Sequence, residues 1–327
     1  MTRILSGIQP TGDKHIGNLV GAIQQYVALQ DLGDAYYCVV DLHALTSLPD
    51  PTELRRATLK TAALLIAAGL DIGRCTLFVQ SHVAAQHTEL AWLLNCVASY
   101  GQLTRMTQFK DKSEQRDHVS VGLFTYPILQ AADILLYDAD IVPIGEDQKQ
   151  HLELTRDIAE RFNARYGPSF VAPAPRLAKV GARICDLQCP TTKMSTSDQD
   201  QKGTLNVLDE PDLIVSKVMS AVTDDGREVR AAADKPGITN LLEIMSGVSG
   251  RPVRDLEDQY RHGGYGVFKS AVAEALVETL RPIRQLYREL MADTAQLESQ
   301  LAVGAEKARS CGERKIEQIR RAMGCGC

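Results

Sequence analysis

The fold is decided by residues 3–18, which read RILSGIQPTGDKHIGN. Residues 3–8 form an apolar run with the length of a buried strand, and the proline and glycine within residues 9–13 predict a turn. A helix then begins near Ile16, because apolar side chains recur at helical spacing as far as Val27. A strand, a turn and an amphipathic helix together predict one unit of a parallel α/β sheet.

Further strands and helices follow this unit along the chain. Residues 35–40 and 76–80 have the apolar pattern of strands, and residues 54–70 between them predict a long helix. Residues 89–137 are helical without a clear strand, which is typical of an insertion, and a strand resumes at residues 140–144. This alternation predicts an α/β protein with a Rossmann-like, doubly wound parallel sheet.

The second half of the chain has a different character. Asp147 is predicted to cap a helix that runs from residue 148 to about residue 166. Residues 168–175 are rich in proline and indicate a connection, residues 180–187 form a short apolar piece, and residues 190–202 form a polar loop. The remaining residues read as helices, which predicts a mainly helical second domain.

The length of 327 residues exceeds what one hydrophobic core usually holds, so we expect more than one domain. Residues 1–186 are predicted to form the Rossmann-like domain with its helical insertion at about residues 89–137. Residues 187–293 are predicted to form a helical domain that begins with the polar loop. Residues 294–327 are expected to form a helical tail that packs back on the first domain.

The composition favours a cytoplasmic protein. The longest nearly uncharged apolar run, residues 61–70, is far shorter than the roughly 18 residues of a membrane span, and the N-terminus leaves no room for a signal peptide. Eight cysteines in a long chain without a CxxC pair favour free reduced thiols over disulfides or a resident metal site. The net charge of −5 indicates that any RNA contact is local. Basic residues within 105–116 and 307–321 are candidates for such contacts or, equally, solvated helix faces.

Two short motifs carry the chemistry. Residues 10–18 place His15 and Asn18 at the start of the first helix. Free N–H groups at a helix start attract phosphate, and Gly17 lets a nucleotide approach the backbone. Residues 191–197 form a polar loop with one lysine, Lys193, and several hydroxyl groups. Each motif alone also has a purely structural interpretation. The first is then a polar residue at a helix cap, and the second is a surface loop.

As a pair, the two motifs resemble the HIGH and KMSKS signatures of the class I aminoacyl-tRNA synthetases. Other segments resemble the tryptophanyl-tRNA synthetases over nearly the whole chain, namely residues 6–10, 40–44, 105–110, 131–135, 145–148 and 235–237. The resemblance implies that ATP activates L-tryptophan to tryptophanyl-adenylate and pyrophosphate, with Mg²⁺ carried by the ATP. Tryptophan is then expected to pass to the 3′ end of tRNA(Trp).

The resemblance also bears on partners. It implies a homodimer with the inserted helices of about residues 89–122 as the interface. It assigns tRNA and anticodon binding to residues 187–293. We expect neither a membrane nor DNA as a partner.

A polar stripe lies on an otherwise apolar helix. Tyr126, Gln130 and Asp133 fall at positions i, i+4 and i+7 around Pro127, which predicts the first turn of a helix. For Gln130 alone, a position on a solvent-exposed face of the helix is an alternative interpretation. In the resembled family, the aspartate that matches Asp133 accepts the indole N–H, and residues that match Tyr126 and Gln148 hold the substrate ammonium group.

The resemblance assigns the remaining site residues. The implied tryptophan site consists of Leu5, Gly7, His43, Tyr126, Gln130, Asp133 and Gln148. The implied ATP site consists of Gln9, Pro10, Thr11, Gly17, Asn18, Gly145, Glu146, Asp147, Ile184, Lys193, Met194, Ser195, Thr196 and Ser197. The implied catalytic groups are Lys193, Gln9, His15, Asn18 and Lys112, with Lys110 as a less favoured alternative to Lys112.

Two positions depart from the family pattern. Thr196 stands where many bacterial relatives have a second lysine, so more of the positive charge must come from Lys193 and Lys112. Gln130 stands where some relatives have methionine, which places a polar side chain against the indole. Neither change removes a group that the chemistry requires.

Three alternatives remain open from the sequence. The first is activation of tyrosine by a related synthetase. The second is adenylyl transfer to a substrate other than an amino acid, which gives no reason for the long helical C-terminal half. The third is a paralogue without catalysis that binds RNA or protein, which Thr196 and the acidic charge favour and the presence of Lys193, Asp147 and Gln148 disfavours.

Overall fold

The structure is a computed structural model that describes residues 1–114, 119–177, 184–195 and 201–326, apart from the side chain of Lys112. Within these residues, five strands form one parallel sheet in the order β3-β2-β1-β4-β5. The strands are β1 (Arg3–Ile8), β2 (Asp34–Val39), β3 (Thr76–Val79), β4 (Ile141–Ile144) and β5 (Ala174–Leu177). The order reverses between β1 and β4, and ligands of such sheets bind at the carboxyl ends of the strands at this point.

The register of the central strands opens a crevice there. β1 pairs with β2 along its whole length, from Arg3 with Asp34 to Ile8 with Val39. With β4, in contrast, β1 pairs only at Ile4 and Ile141. The residues of β1 and β4 that follow this pair line a cavity instead of a continuous ladder.

The four strands that the sequence predicts are confirmed to within one residue at each end. β5 was not predicted, because its first residues were assigned to the proline-rich connection. Proline cannot donate to a sheet ladder and is therefore tolerated mainly at sheet edges. β5 is such an edge strand, exposed along its length, with Pro175 opposite Val142.

Most of the rest of the described chain is helical. The helices are α1 (Ile16–Asn18), α2 (Gln24–Leu29), α3 (Asp41–Ala44), α4 (Pro51–Ala67), α5 (Ala84–Asn95), α6 (Tyr100–Leu103), α7 (Thr107–Glu114), α8 (Val121–Leu135), α9 (Lys149–Tyr166), α10 (Pro211–Met219), α11 (Pro236–Ser249), α12 (Val253–Tyr260), α13 (Gly264–Ala292) and α14 (Thr294–Met323). A π-helical stretch, Leu19–Ile23, joins α1 to α2. None of the helices that the structure describes is long and apolar enough to cross a membrane.

Two local predictions were wrong. Pro127 does not lie in a first turn, because α8 begins at Val121, where the Ser120 hydroxyl caps it by accepting from Leu123 N at 3.2 Å. Asp147 does not cap α9, because a 3₁₀ turn, Glu146–Gln148, precedes that helix. The carboxylate of Asp147 instead accepts a hydrogen bond from Gln148 Nε2 at 2.8 Å.

The sheet separates two hydrophobic clusters, because successive side chains of a strand point to opposite faces. Ile4, Tyr37 and Val79 belong to the cluster beneath α4, α10, α11 and α13. Leu5 and Phe78 belong to the cluster beneath α5, α8, α9 and α14. Both faces of the sheet are therefore covered, as a doubly wound fold requires.

The last helix, α14, lies directly on β3. A Cβ atom at Gly304 would stand 2.0 Å from the carbonyl oxygen of Leu77, so only glycine permits this approach. Three basic residues of α14 form ion pairs with acidic residues of the first half of the chain, namely Lys307 with Asp34, Lys315 with Asp138 and Arg320 with Glu89. These three cations are engaged within the chain.

Candidate active site

The first motif forms a reciprocal cap at the start of α1. His15 Nδ1 accepts a hydrogen bond from Gly17 N at 3.1 Å, and His15 N donates to Asn18 Oδ1 at 3.0 Å. A Cβ atom at Gly17 would stand 2.9 Å from the His15 ring, so a larger residue would displace the ring. Because Nδ1 accepts, a neutral His15 carries its proton on Nε2 and donates from there.

The charge state of His15 follows from its surroundings. Burial, together with the neighbouring cations Lys193 and Lys14, lowers the pKa of His15 to about 4. The ring is therefore neutral at physiological pH. It offers a phosphate group an N–H donor, and Lys193 offers the full positive charge.

The second motif is held in place by a short antiparallel contact. Cys185 and Lys193 pair through their backbones in an isolated antiparallel β-bridge, and Met194 N donates to the carbonyl of Ile184 at 3.1 Å. The Asn240 side chain of α11 bonds both the N–H and the carbonyl of Cys185 at 2.8 Å. The segment is thereby anchored to the helical half of the chain.

Both motifs line one cavity of about 480 Å³. His15 and Asn18 come from the first motif, and Lys193, Met194 and Ser195 come from the second. We call it the phosphate cavity, after the anions that its cations and N–H groups attract.

A second cavity, of about 300 Å³, lies between β1, β4 and α8. All seven residues of the implied tryptophan site line it, namely Leu5, Gly7, His43, Tyr126, Gln130, Asp133 and Gln148. We call it the Asp133 cavity. Its remaining wall is largely apolar and includes Val40, Ile134 and Val142.

The carboxylate of Asp133 contacts three side chains from other parts of the chain. Its Oδ2 lies 2.7 Å from His43 Nε2, while its Oδ1 accepts from Gln80 Nε2 at 2.7 Å and lies 2.6 Å from His87 Nδ1. Asp133 is 4% exposed, and Gln80 and His87 are fully buried. Neither Gln80 nor His87 lines the cavity, so Oδ1 is held from behind and Oδ2 is on the side of His43.

These partners decide the charge of Asp133. Burial alone would raise its pKa, but the attraction and hydrogen bonds of His43 and His87 outweigh burial and hold the pKa well below its usual range. An ionised carboxylate only accepts hydrogen bonds, so both rings donate to it. His87 Nε2 lies 2.8 Å from the hydroxyl of Tyr137.

A row of amides borders the same cavity. Gln130 Nε2 donates to Gln148 Oε1 at 3.3 Å, and Gln148 Nε2 donates to Asp147 Oδ2 at 2.8 Å. The Tyr126 hydroxyl lies 2.8 Å from His151 Nε2, and burial, together with the charge of Asp147, raises the pKa of Tyr126 to about 12. The phenol is therefore neutral at physiological pH.

The implied ATP residues are brought together in part. Gln9 lines both cavities, Thr11, Asn18, Lys193, Met194 and Ser195 line the phosphate cavity, and Gly145 lines the Asp133 cavity. Pro10, Gly17, Glu146, Asp147, Ile184 and the alternative Lys110 line neither. Thr196, Ser197 and the side chain of Lys112 lie outside the described residues.

Sequence reasoning missed several residues that line or support these cavities, among them Gln80, His87 and Lys14. His87 has no local signal, since its partner lies 46 residues further along the chain. Lys14 lies inside the first motif, but nothing in the sequence indicates that its side chain turns back on the preceding residues. Among the described residues, no group of three or more His, Cys, Asp or Glu side chains is arranged to hold a metal ion.

The sequence matches the model of one protein family over most of its length. The family of class I tRNA synthetases for W and Y matches residues 1–281 of this chain. The class is therefore that of the class I aminoacyl-tRNA synthetases.

Individual relatives narrow this class. The chain is 51% identical to a tryptophan–tRNA ligase of Caldanaerobacter subterraneus subsp. tengcongensis, over 99% of this chain and 98% of the relative. It is 53% identical to tryptophan–tRNA ligase 2 of Streptomyces avermitilis, over 97% and 95%. The crystal structure of a Campylobacter jejuni tryptophanyl-tRNA synthetase complexed with ADP and tryptophan superposes with a TM-score of 0.86, at 34% identity and with 99% of this chain and 100% of that chain covered. The chain belongs to the tryptophan–tRNA ligase family.

Proposed function

We propose that this tryptophan–tRNA ligase binds tryptophan in the Asp133 cavity and ATP in the phosphate cavity, and joins them into tryptophanyl-adenylate. The observation that carries this assignment is the wall that the two cavities share. Ile8, Gln9 and Tyr26 line both of them. A carboxylate at the mouth of one cavity therefore lies beside a phosphate in the other.

The chemistry needs position and charge more than proton transfer. The tryptophan carboxylate is ionised at neutral pH and attacks the α-phosphorus of ATP, while pyrophosphate leaves. Catalysis then comes from holding the two reactants together and from stabilising the negative charge on the phosphates. Lys193 supplies charge, His15 supplies its Nε2 proton as a donor, and Asn18 supplies its amide N–H groups. Mg²⁺ enters as part of the MgATP substrate.

The indole is selected by Asp133. Its Oδ2 accepts the indole N–H beside His43, while Leu5 and Gly7 form part of the wall. Tyr126 and Gln148 hold the ammonium group, and Gln130 lies against the ring. The apolar residues that complete the cavity suit a large aromatic side chain.

The remaining ATP contacts surround the phosphate cavity. Asp147 holds the ribose, and Gly17, Ile184 and Met194 shape the adenine site. A Cβ atom at Gly17 would lie 3.4 Å from Ile184, which supports a narrow adenine slot at this position. Further contacts come from Gln9, Lys112, and the neighbouring residues Pro10, Thr11, Gly145, Glu146, Ser195, Thr196 and Ser197.

Transfer to tRNA follows in the same site. We assign residues 1–186 to the catalytic domain, residues 187–293 to the domain that carries the Lys193 loop and binds tRNA, and residues 294–327 to a tail. The ion pairs of α14 with Asp34, Asp138 and Glu89 support docking of the tail on the catalytic domain.

We also assign a homodimer interface to the inserted helices. Three large apolar residues of this segment are at least two-thirds exposed, namely Trp92, Tyr100 and Val121. Solvent-exposed apolar side chains that lie close together mark protein interfaces. Trp92 and Tyr126 line the same groove, and Tyr126 also lines the Asp133 cavity, so the interface adjoins the substrate.

The decisive experiment is amino-acid-dependent ATP–pyrophosphate exchange with tryptophan and tyrosine side by side. We expect exchange with tryptophan and at least a hundredfold lower kcat/KM with tyrosine, roughly the selectivity that a dedicated pocket supplies. Exchange with tyrosine alone contradicts the assignment of the Asp133 cavity. Exchange with neither amino acid favours a binding protein without catalysis.

A further inference from the structure

Lys14 folds back over the turn that leads into the first helix. Its Nζ donates to the carbonyl oxygens of Gln9 at 2.9 Å, Thr11 at 2.7 Å and Gly12 at 3.4 Å. An ammonium group has three N–H donors, so these carbonyls use all of them. One side chain thereby ties together three of the four residues of the turn at residues 9–12.

The position of this lysine links it to the phosphates. Lys14 lines the phosphate cavity together with Gln9, Thr11 and Lys193. Its ammonium group is held by carbonyl dipoles, whereas the nearest carboxylate in sequence, Asp13, approaches Lys60 at 4.0 Å. Among the described residues, no carboxylate forms an ion pair with Lys14.

We propose that Lys14 is a positioning residue for ATP, which holds the turn at residues 9–12 in its phosphate-binding shape and adds a second positive charge beside Lys193. This rests on the proposed function, because it places the ATP phosphates in that cavity. It also bears on Thr196, because the loop has threonine where many relatives have a second lysine. Lys14 supplies a second ammonium group to the cavity that Lys193 lines.

The charge of Lys14 responds to pH and to ATP. Burial lowers the pKa of Lys14 to about 8, although Asp13 opposes this effect. The charged and titratable groups around Lys14 are Asp13 and His15 on the same turn, Glu53, Arg56 and Lys60 on α4, Tyr287 on α13, and Lys193 across the cavity. A bound polyanion favours the ammonium form and raises the pKa of Lys14, so ATP binding near pH 8 takes up a proton.

The test compares Lys14→Met and Lys14→Arg with the wild-type chain. Lys60→Met is the matched control, because Lys60 shares a neighbouring groove with Lys14 but does not line the phosphate cavity. In ATP–pyrophosphate exchange at pH 7, we expect Lys14→Met to raise the KM for ATP about tenfold, which corresponds to ~1.4 kcal/mol. The KM for tryptophan should change less than about twofold, since Gln9 is the one residue of this turn that lines the Asp133 cavity.

The pH dependence of the KM for ATP distinguishes the effect of the Lys14 charge from the effect of the shape of the turn. We expect the KM for ATP of the wild-type chain to rise between pH 7 and pH 9, and that of Lys14→Arg to stay nearly constant, because arginine remains protonated. Calorimetry of ATP binding at pH 8 in two buffers of different ionisation enthalpy should show proton uptake by the wild-type chain and by Lys60→Met. Lys14→Arg should show less proton uptake than either of them.

Two results would overturn the proposal for Lys14. One is an unchanged KM for ATP in Lys14→Met. The other is equal proton uptake by the wild-type chain and Lys14→Arg, which decides the matter even where Lys14→Met fails to fold. In both cases, tryptophan-dependent exchange by the wild-type chain leaves the proposed function standing, whereas loss of that exchange would contradict the proposed function itself.

Discussion

His87 Nδ1 lies 2.6 Å from Asp133 Oδ1, and the other nitrogen of the same ring lies 2.8 Å from the hydroxyl of Tyr137. The ring is fully buried and connects the carboxylate to a group that does not line the cavity. Both nitrogens of the ring therefore have a hydrogen-bond partner in the protein interior. His87 thereby sets the direction in which Oδ2 of Asp133 faces.

We expect Asp133→Asn to raise the KM for tryptophan by roughly a hundredfold or more while the KM for ATP changes less than about threefold. The asparagine amide fills the same space, but it is neutral and only its oxygen can accept a hydrogen bond. A buried donor that loses its acceptor is penalised strongly. Steady-state exchange kinetics measure both constants. The exposed Asp212→Asn on α10 is the matched control, and an unchanged KM for tryptophan in Asp133→Asn would remove Asp133 from the site.

Tyr137→Phe should raise the KM for tryptophan severalfold and lower the free energy of unfolding by about 1–3 kcal/mol, because His87 Nε2 then loses its hydrogen-bond partner in the protein interior. Urea unfolding measures the stability, and exchange kinetics measure the KM. Tyr166→Phe is the control, since that residue contributes ring contacts with Phe162. A loss of stability without any change in the KM would reduce the His87–Tyr137 pair to a structural role.

The imidazole of His15 should titrate with a pKa of about 4, as its NMR chemical shift against pH will measure. Lys193→Met should raise this value, because it removes a neighbouring cation, although not to 6.5, because burial is the larger cause. An unfolded histidine binds its proton near pH 6.5, so the unfolded state holds more protons between pH 6.5 and 4. This histidine therefore makes the folded state less stable as the pH falls through that range. A pKa near 6.5 in the folded chain would contradict the buried cap geometry.

Gln130→Met should lower the KM for tryptophan severalfold, because a polar amide no longer needs to lose its water against the indole. Exchange kinetics at saturating ATP measure this effect. The opposite result, a higher KM, would show that the hydrogen bond from Gln130 to Gln148 matters more, by orienting the amide that holds the ammonium group.

Trp92→Glu should convert a dimer into a monomer, because a charge replaces a side chain that is 68% exposed in the single chain. Sedimentation at micromolar concentration measures the mass. Val303→Glu, on the exposed surface of α14, is the control for adding one charge to the surface. A wild-type chain that sediments as a monomer would contradict the proposed interface.

The features that depend on neighbours along the chain could be predicted from the sequence. The apolar run of β1, the turn after it and the spacing of Ile16 and Ile23 are local signals, because strand period, turn chemistry and helix period act over a few residues. Local signals also misled at Pro127 and Asp147, where one cap residue, Ser120, and one short 3₁₀ turn shifted the helix starts.

The hydrogen-bond partners of Asp133 could not be predicted from the sequence, because they depend on tertiary packing. Its partners His43, Gln80 and His87 lie 90, 53 and 46 residues away in sequence, and they meet because both the sheet order and the packing of α5 on α8 bring their ends together. Hydrogen bonds of this kind depend on ångström-scale positions that no local pattern encodes. The motifs identified the chemistry, and the packing of distant segments determined which atoms are oriented to perform it.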